Sequence, residues 1–211
     1  PFSLQTEIDS VTATLNNGLY AVSGAPSGTS IDSPVDLRFE YKDSSGIHAI
    51  KEFHLEPSSY IVGFRTNVTA GDQTVTPALQ WGPALGGMPS AASSYVTKAR
   101  GLVFVGEEVE RLDPGAIAER PVHEGNFKYA GVDDHYFLSV ALFPGASKVS
   151  FQSVSIPPAP NTAGAARDLV AYTISPASQR VFFGPKDFDT LASIDRDLVR
   201  AIDYGMFSVI V

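Results

Sequence analysis

Short apolar segments, separated at regular intervals by turn-forming residues, constrain the fold of this chain more than any other feature. Residues 35–41 alternate apolar and polar side chains with a period of two, which is typical of a half-buried strand. Residues 43–46 predict a turn, and residues 47–55 predict the returning strand of a β-hairpin. Further strands are predicted at residues 60–68, 78–81, 101–105, 127–130, 136–143, 148–156, 167–174 and 179–183. This spacing favours an antiparallel sandwich over a parallel α/β sheet.

The composition fits a globular chain of this kind. With 211 residues, of which 44% are hydrophobic, the chain can bury about 70% of its unfolded surface without a metal or disulfide staple. Cysteine is absent, which excludes thiol chemistry and thiolate-bound metals. The net charge is −8 and the 15 basic residues are spread along the sequence, so nucleic acid is not expected as a partner.

Several segments predict loops from their composition. Residues 24–34 and 157–164 carry turn-forming residues, and residues 83–94 are rich in Gly, Pro, Ala and Ser and predict a mobile excursion. Residues 107–111 form a charge run that predicts an exposed loop or a short helix. Residues 133–136, Asp-Asp-His-Tyr, predict a solvated turn that leads into a strand.

One helical segment is predicted near the C-terminus. Apolar residues recur there at spacings of three and four, which gives a stripe along one helix face, and they are Phe188, Leu191, Ile194, Leu198 and Ile202. Pro185 cannot donate a backbone hydrogen bond, so the helix is expected to begin near it, with Asp187 favouring the first turn. Residues 195–197, Asp-Arg-Asp, predict an interruption. Residues 206–211 are apolar and predict the start of a membrane span, which needs about 20 apolar residues in all.

Three motifs in the second half of the chain resemble a known family. Residues 182–186 read Phe-Phe-Gly-Pro-Lys ahead of the helical segment, and residues 203–205 read Asp-Tyr-Gly before the apolar end. Residues 136–144 carry Tyr-Phe, then Ala, then Pro. In this order the motifs resemble the YidC membrane protein insertase family, within the Oxa/YidC/Alb superfamily, and specifically its large periplasmic domain between the first two membrane spans.

The resemblance implies an all-β fold, an antiparallel β-supersandwich of the galactose-mutarotase type, with a short C-terminal α-helical segment. It divides the chain into a periplasmic sandwich at residues 1–184, a helical segment leading to the membrane at residues 185–205, and the start of a truncated span at residues 206–211.

The resemblance also implies a function. A family member would assist the insertion and folding of inner-membrane proteins as an insertase and chaperone, alone or with the Sec translocon. Its partners would be Sec components and nascent membrane proteins, and this domain would lie on the periplasmic side of the bacterial inner membrane. In that family the membrane spans carry out insertion, so no catalytic residue, cofactor or metal site is expected within these 211 residues.

Eight residues are expected to lie close to the membrane or to a partner, and they are Gly184, Pro185, Leu191, Ile194, Leu198, Asp203, Tyr204 and Gly205. The first two would form the turn between sandwich and helix, because Gly tolerates unusual φ and Pro stops a strand. The three aliphatic residues would dock the helix on the sandwich. The last three would join the span, with the tyrosine ring at the water–lipid interface. The alternative, that all eight are ordinary packing and turn residues, remains open.

A sugar-binding or sugar-isomerising protein is the alternative function, because the supersandwich is shared with mutarotases. His48, Glu52 and His54 have the same parity and are expected on one strand face, where they could act as general acid and base. A wet strand face would also carry such residues, and this explanation is favoured. Similarly, His135 is expected in a solvated turn rather than a ligand site, and Trp81 as a core or rim aromatic rather than a sugar platform.

Overall fold

The computed structural model describes residues 2–26, 28, 30–83, 99–157 and 167–203, with the backbone alone at Arg167. The predicted excursion beyond residue 83, the loop beyond residue 157, and the predictions for Tyr204, Gly205 and residues 206–211 lie outside the described residues. Among the helices that can be described, none is long and apolar enough to cross a membrane.

Strands dominate the described structure. In chain order the elements are β1 (Ser3–Gln5), α1 (Asp9–Asn17), β2 (Ala21–Ser23), β3 (Val35–Lys42), β4 (Ile47–Leu55), β5 (Ile61–Ala70), β6 (Gln73–Val75), β7 (Ala78–Trp81), β8 (Arg100–Val105), β9 (Glu108–Leu112), α2 (Pro114–Glu119), β10 (Val122–Asp133), β11 (Phe137–Ile156), β12 (Arg167–Ser175), β13 (Arg180–Pro185), α3 (Phe188–Ile194) and the 3₁₀-helix η1 (Arg196–Ala201).

The long strand β11 folds the sheet into a sandwich. Its first part pairs with β13 and continues through β5, β4, β3 and β2, whereas its second part pairs with β12 and continues through β7 and β1. Between the two parts the backbone turns through positive φ at Phe143 (48°) and Gly145 (69°), and the pairing with β10 shifts register. Such a bulge bends a strand sharply, so one strand serves two layers. All of the pairings are antiparallel.

The layer that contains the first part of β11 and β13, here called the first layer, has apolar side chains on both faces. On β11, Ala141 belongs to the core between the layers, whereas Leu138, Val140 and Leu142 point to the opposite face. We call the second set, with its partners, the outer cluster, and its buried members are Leu102, Phe104, Tyr129, Leu138, Val140, Leu142, Phe182, Leu191, Leu198 and Ala201. Because side chains alternate along a strand, a strand buried on both faces has a nearly continuous apolar sequence.

The predicted antiparallel sandwich is confirmed, and the hairpin at residues 35–55 is present as β3 and β4. The prediction of a loop or helix at residues 107–111 was wrong, because Glu108–Leu112 forms β9 and Leu112 is buried in the core. Two helices were not predicted. In α1 only Val11 and Leu15 are buried, and α2 buries only Ile117, so neither carries a long apolar stripe.

Candidate functional site

The residues from Lys186 to Asp203, here called the C-terminal segment, form the two short helices α3 and η1. Asp195 separates them and caps the start of the second. The Asp187 carboxylate accepts a hydrogen bond from the Thr190 backbone N–H at 2.9 Å and starts α3. This bond, with that from the Thr190 hydroxyl, holds the pKa of the Asp187 carboxyl below its usual range. Asp195 ends α3, and its carboxylate accepts from the Asp197 N–H at 2.7 Å to start η1. The predicted interruption at residues 195–197 is confirmed.

The apolar side of the segment packs on the sheet. Leu191 and Leu198 are 0% exposed within the outer cluster, and Ile194 is partly buried against it. The strands β8, β10, β11 and β13 supply the facing side chains. Full burial of a leucine side chain contributes about 1.5–3 kcal/mol, so the segment is held to the sheet by the same kind of contact that builds the core. Whether these residues also serve a membrane or a partner stays a prediction.

Gly184 and Pro185 lie at the end of β13 rather than in a turn. They pair with Leu138 and Phe137, and the chain leaves the sheet at Lys186, whose N–H donates to the Tyr136 carbonyl at 2.8 Å. The glycine is not needed for an unusual φ. A Cβ at position 184 would lie 2.8 Å from Cγ of Tyr60 and 2.7 Å from Cζ of Phe182. Close approach of the Tyr60 ring therefore explains the residue.

Charged side chains tie the two ends of the segment to the sheet. Asp133, at the end of β10, is 0% exposed and accepts a hydrogen bond from Lys186 Nζ at 3.0 Å. Arg100 Nη2 lies 3.6 Å from Asp133 Oδ2 and 3.2 Å from Asp203 Oδ2. Arg100 therefore bridges the first anchor point of the segment and the last described residue of the chain.

Further polar contacts surround the outer cluster. Arg111 Nη2 donates to the carbonyls of Arg200 and Ala201 at 2.9 and 3.2 Å, which satisfies the last carbonyls of η1. Arg200 in turn donates to the Glu107 carbonyl at 2.7 Å. These polar contacts, with those of Asp133, Arg100 and Lys186, form a polar rim around the outer cluster. An apolar centre with a polar rim is also typical of protein–protein interfaces. The rim fixes the orientation of the segment as well as its position.

Sequence reasoning missed this polar rim. Asp133 was assigned to a solvated turn, whereas β10 extends to Asp133 and buries it. The turn itself begins one residue later, where Asp134 accepts from the N–H groups of Tyr136 and Phe137 at 2.9 and 2.7 Å. The parity of Asp133 with Tyr129, which belongs to the outer cluster, was the available signal.

The predicted polar face of β4 is present. His48 Nε2 lies 2.8 Å from Glu40 Oε1, and His54 Nδ1 lies 2.7 Å from Asp36 Oδ1. Hydrogen bonding to Asp36, and then to Glu56, raises the pKa of His54 above its usual value. Both histidines therefore take part in cross-strand pairs of the kind that stabilise an exposed sheet face.

We expect no acceleration of glucose anomer exchange by this protein, because both histidines lie in exposed cross-strand pairs, with side chains 36% and 47% exposed, rather than in an enclosed site. Polarimetry of freshly dissolved glucose measures the exchange rate. The sugar-isomerising alternative would be supported instead by an acceleration that disappears in His48→Ala or His54→Ala.

Trp81 is placed as a rim aromatic, with its ring centroid 4.2 Å from that of Phe183.

Comparison with known proteins gives one consistent family. The family model described as "YidC periplasmic domain" matches residues 3–211. The membrane protein insertase YidC of Anaeromyxobacter dehalogenans is 34% identical over 104 residues, which cover 47% of this chain and 18% of the relative. The membrane protein insertase YidC of Pelobacter propionicus is 28% identical over 134 residues, which cover 59% of this chain and 24% of the relative.

The matches thus span 18–24% of the length of these relatives. Among solved structures, the GH36 alpha-galactosidase AgaB from Geobacillus stearothermophilus shares 10% identity at a TM-score of 0.28, covering 87% of this chain and 24% of that chain. A likeness at this score supports no inference about sugar chemistry here.

Proposed function

The chain belongs to the YidC periplasmic domain family, and from this premise we propose that it holds the C-terminal segment in a fixed orientation within a membrane protein insertase. The domain would lie on the periplasmic side of the bacterial inner membrane and act without catalysis. The observation that supports this proposal is the docking of the segment by a buried apolar cluster and a polar rim.

The physical role of such docking is to set direction. Arg100 and Arg111 hold the end of the segment at Asp203 and Ala201, so the last described residues are held at a defined place on the sheet. A membrane span joined there would inherit that orientation. Nascent membrane proteins are the proposed substrates of the whole protein, with components of the Sec translocon as proposed partners, since the curated relatives are named membrane protein insertases.

Complementation of a strain depleted of its own insertase tests the role of the C-terminal segment. We expect that full-length protein lacking residues 187–202 fails to restore membrane protein insertion, because the outer cluster loses Leu191 and Leu198. Gly184→Val is expected to impair insertion as well, since the added Cβ would meet the Tyr60 ring at 2.8 Å. Insertion of a reporter membrane protein is measured by protease accessibility.

The matched control is Gly28→Val, where the one described atom that a Cβ would meet is the Ser30 carbonyl oxygen at 3.6 Å. Ser44→Ala, on the exposed hairpin turn, is a second control. Immunoblotting must show that every variant accumulates to the parent level. Normal growth and insertion with the deletion variant at that level would refute the proposed role.

A further inference from the structure

Arg65 and Arg180 lie side by side on the sheet face that also carries the C-terminal segment. Arg180 pairs directly with Gly63 across β13 and β5, which makes Arg65 its diagonal neighbour, about 7–8 Å away between backbones and within reach of long side chains. Both are exposed, and within the described part of the chain neither has an ion-pair or hydrogen-bond partner for its guanidinium. Two adjacent like charges without a counterion are unfavourable for the sheet itself.

The acidic residues nearby already contact other basic side chains. Glu52 lies directly opposite Arg65, yet it accepts from Arg38 Nη1 at 2.8 Å. Asp36 and Glu56 both contact His54, at 2.7 and 3.3 Å. Among the described residues, Arg65 and Arg180 therefore have no direct carboxylate contact, and their guanidinium groups can pair with a group from outside the described structure.

A gap in the side-chain layer lies between these arginines. Gly63, opposite Arg180, contributes no side chain to this layer, and its backbone lies so close to His54 that a Cβ would meet Cβ of His54 at 3.0 Å. The open cavity at this place has a volume of about 800 Å³. Its lining includes both arginines, Gly63 and His54, and also the carboxylates of Asp36, Glu52 and Glu56, each of which contacts another basic residue. We call it the arginine cleft. Guanidinium groups bind carboxylates through paired, charge-assisted hydrogen bonds.

We propose that the arginine cleft binds a carboxylate side chain of an acidic peptide segment in a client membrane protein. This inference rests on the proposed function, because it takes the ligand from the substrates of an insertase. Segments that reach the periplasmic side are depleted of Lys and Arg, which concentrate in cytoplasmic loops. A carboxylate in such a segment therefore has few basic neighbours of its own to compete with the two arginines.

The position of the cleft is consistent with this ligand. Ile61 lines the cavity and also packs against the outer cluster, so the cleft borders the face on which α3 and η1 are docked. A peptide held at the arginines would lie alongside the C-terminal segment. Binding would thus place part of a client protein next to the docked C-terminal segment.

Fluorescence anisotropy with the 211-residue chain tests the proposal directly. The probe is a fluorescein-labelled peptide of alternating Glu and Gly, at low ionic strength, and the comparison peptide has Gln in place of Glu. We expect Arg65→Gln and Arg180→Gln each to weaken binding of the acidic peptide about tenfold, as loss of one charge-assisted hydrogen bond predicts. Gly63→Leu, which fills the cleft without changing charge, is expected to weaken binding as well.

Arg120→Gln is the matched control, because it removes the same charge from an exposed position after α2 and should leave the affinity unchanged. Thermal melting checks that each variant folds. Equal binding of the Gln peptide, or equal losses in Arg120→Gln, would overturn the proposal. So would arginine-dependent binding of inorganic phosphate or phosphatidylglycerol vesicles without peptide binding. The peptide assay tests the arginine cleft alone, whereas complementation by the variant lacking residues 187–202 tests the C-terminal segment alone. A negative result in one experiment therefore does not affect the other proposal.

Discussion

Lys186→Met is expected to lower the free energy of unfolding by about 1.5–3 kcal/mol, the usual contribution of a hydrogen bond to a charged group. The Asp133 side chain is 0% exposed and that of Lys186 is 8% exposed, with 3.0 Å between Nζ and Oδ2. After the substitution only Arg100, at 3.6 Å, remains beside the carboxylate. Among the described residues the second carboxylate oxygen, Oδ1, has no hydrogen-bond partner, so Arg100 is the only described group that still offsets the buried charge. Urea unfolding measures the change.

The double variant Asp133→Leu with Lys186→Met provides the control for this prediction. It removes both charges and replaces them with apolar groups, which is often neutral for a buried ion pair. We therefore expect the double variant to regain most of the lost stability, although Arg100 then keeps only Asp203 as its described carboxylate partner. A loss below about 1 kcal/mol in Lys186→Met, the range of exposed pairs, would contradict the buried character of the pair.

Leu198→Ala is expected to weaken the docking of the C-terminal segment by about 2–5 kcal/mol, the range for truncating a buried leucine. Leu198 is 0% exposed and lies in η1, which covers the outer cluster. Because the segment contacts only one face of the first layer, it can detach while the sandwich stays folded. The cost should therefore appear as faster amide hydrogen exchange in residues 188–201, a local opening.

Val199→Ala is the matched control for Leu198→Ala, since Val199 belongs to the same 3₁₀-helix but is only partly buried. A smaller acceleration of exchange is expected there. Two outcomes would contradict independent docking: unchanged exchange in the segment, or equal acceleration in the segment and in the central strands. The second outcome would mean that segment and sheet unfold as a single unit.

Local patterns carried the predictions that succeeded. In the hairpin of β3 and β4, apolar and polar residues alternate with a period of two on either side of a turn. In the C-terminal segment, apolar residues recur at spacings of three and four, and an aspartate caps the start of each helix. These features depend on neighbours in the chain, so they can be recognised without knowing the fold. The strand at Glu108–Leu112 was not predicted because its charged residues were interpreted as a charge run. The alternation of charged and apolar side chains becomes evident only from the pairing with β8.

The sequence by itself determined the antiparallel strands, the capped helical segment and the family, because each depends on side-chain order along the chain. Only the tertiary structure decided that Asp133 is buried against Lys186 and that Tyr60 requires a glycine at position 184. It also decided that Arg65 and Arg180 are neighbours without a carboxylate partner among the described residues. These groups are distant in sequence and meet through strand register. The bend in β11 and the order of strands set that register, and no local pattern specifies either.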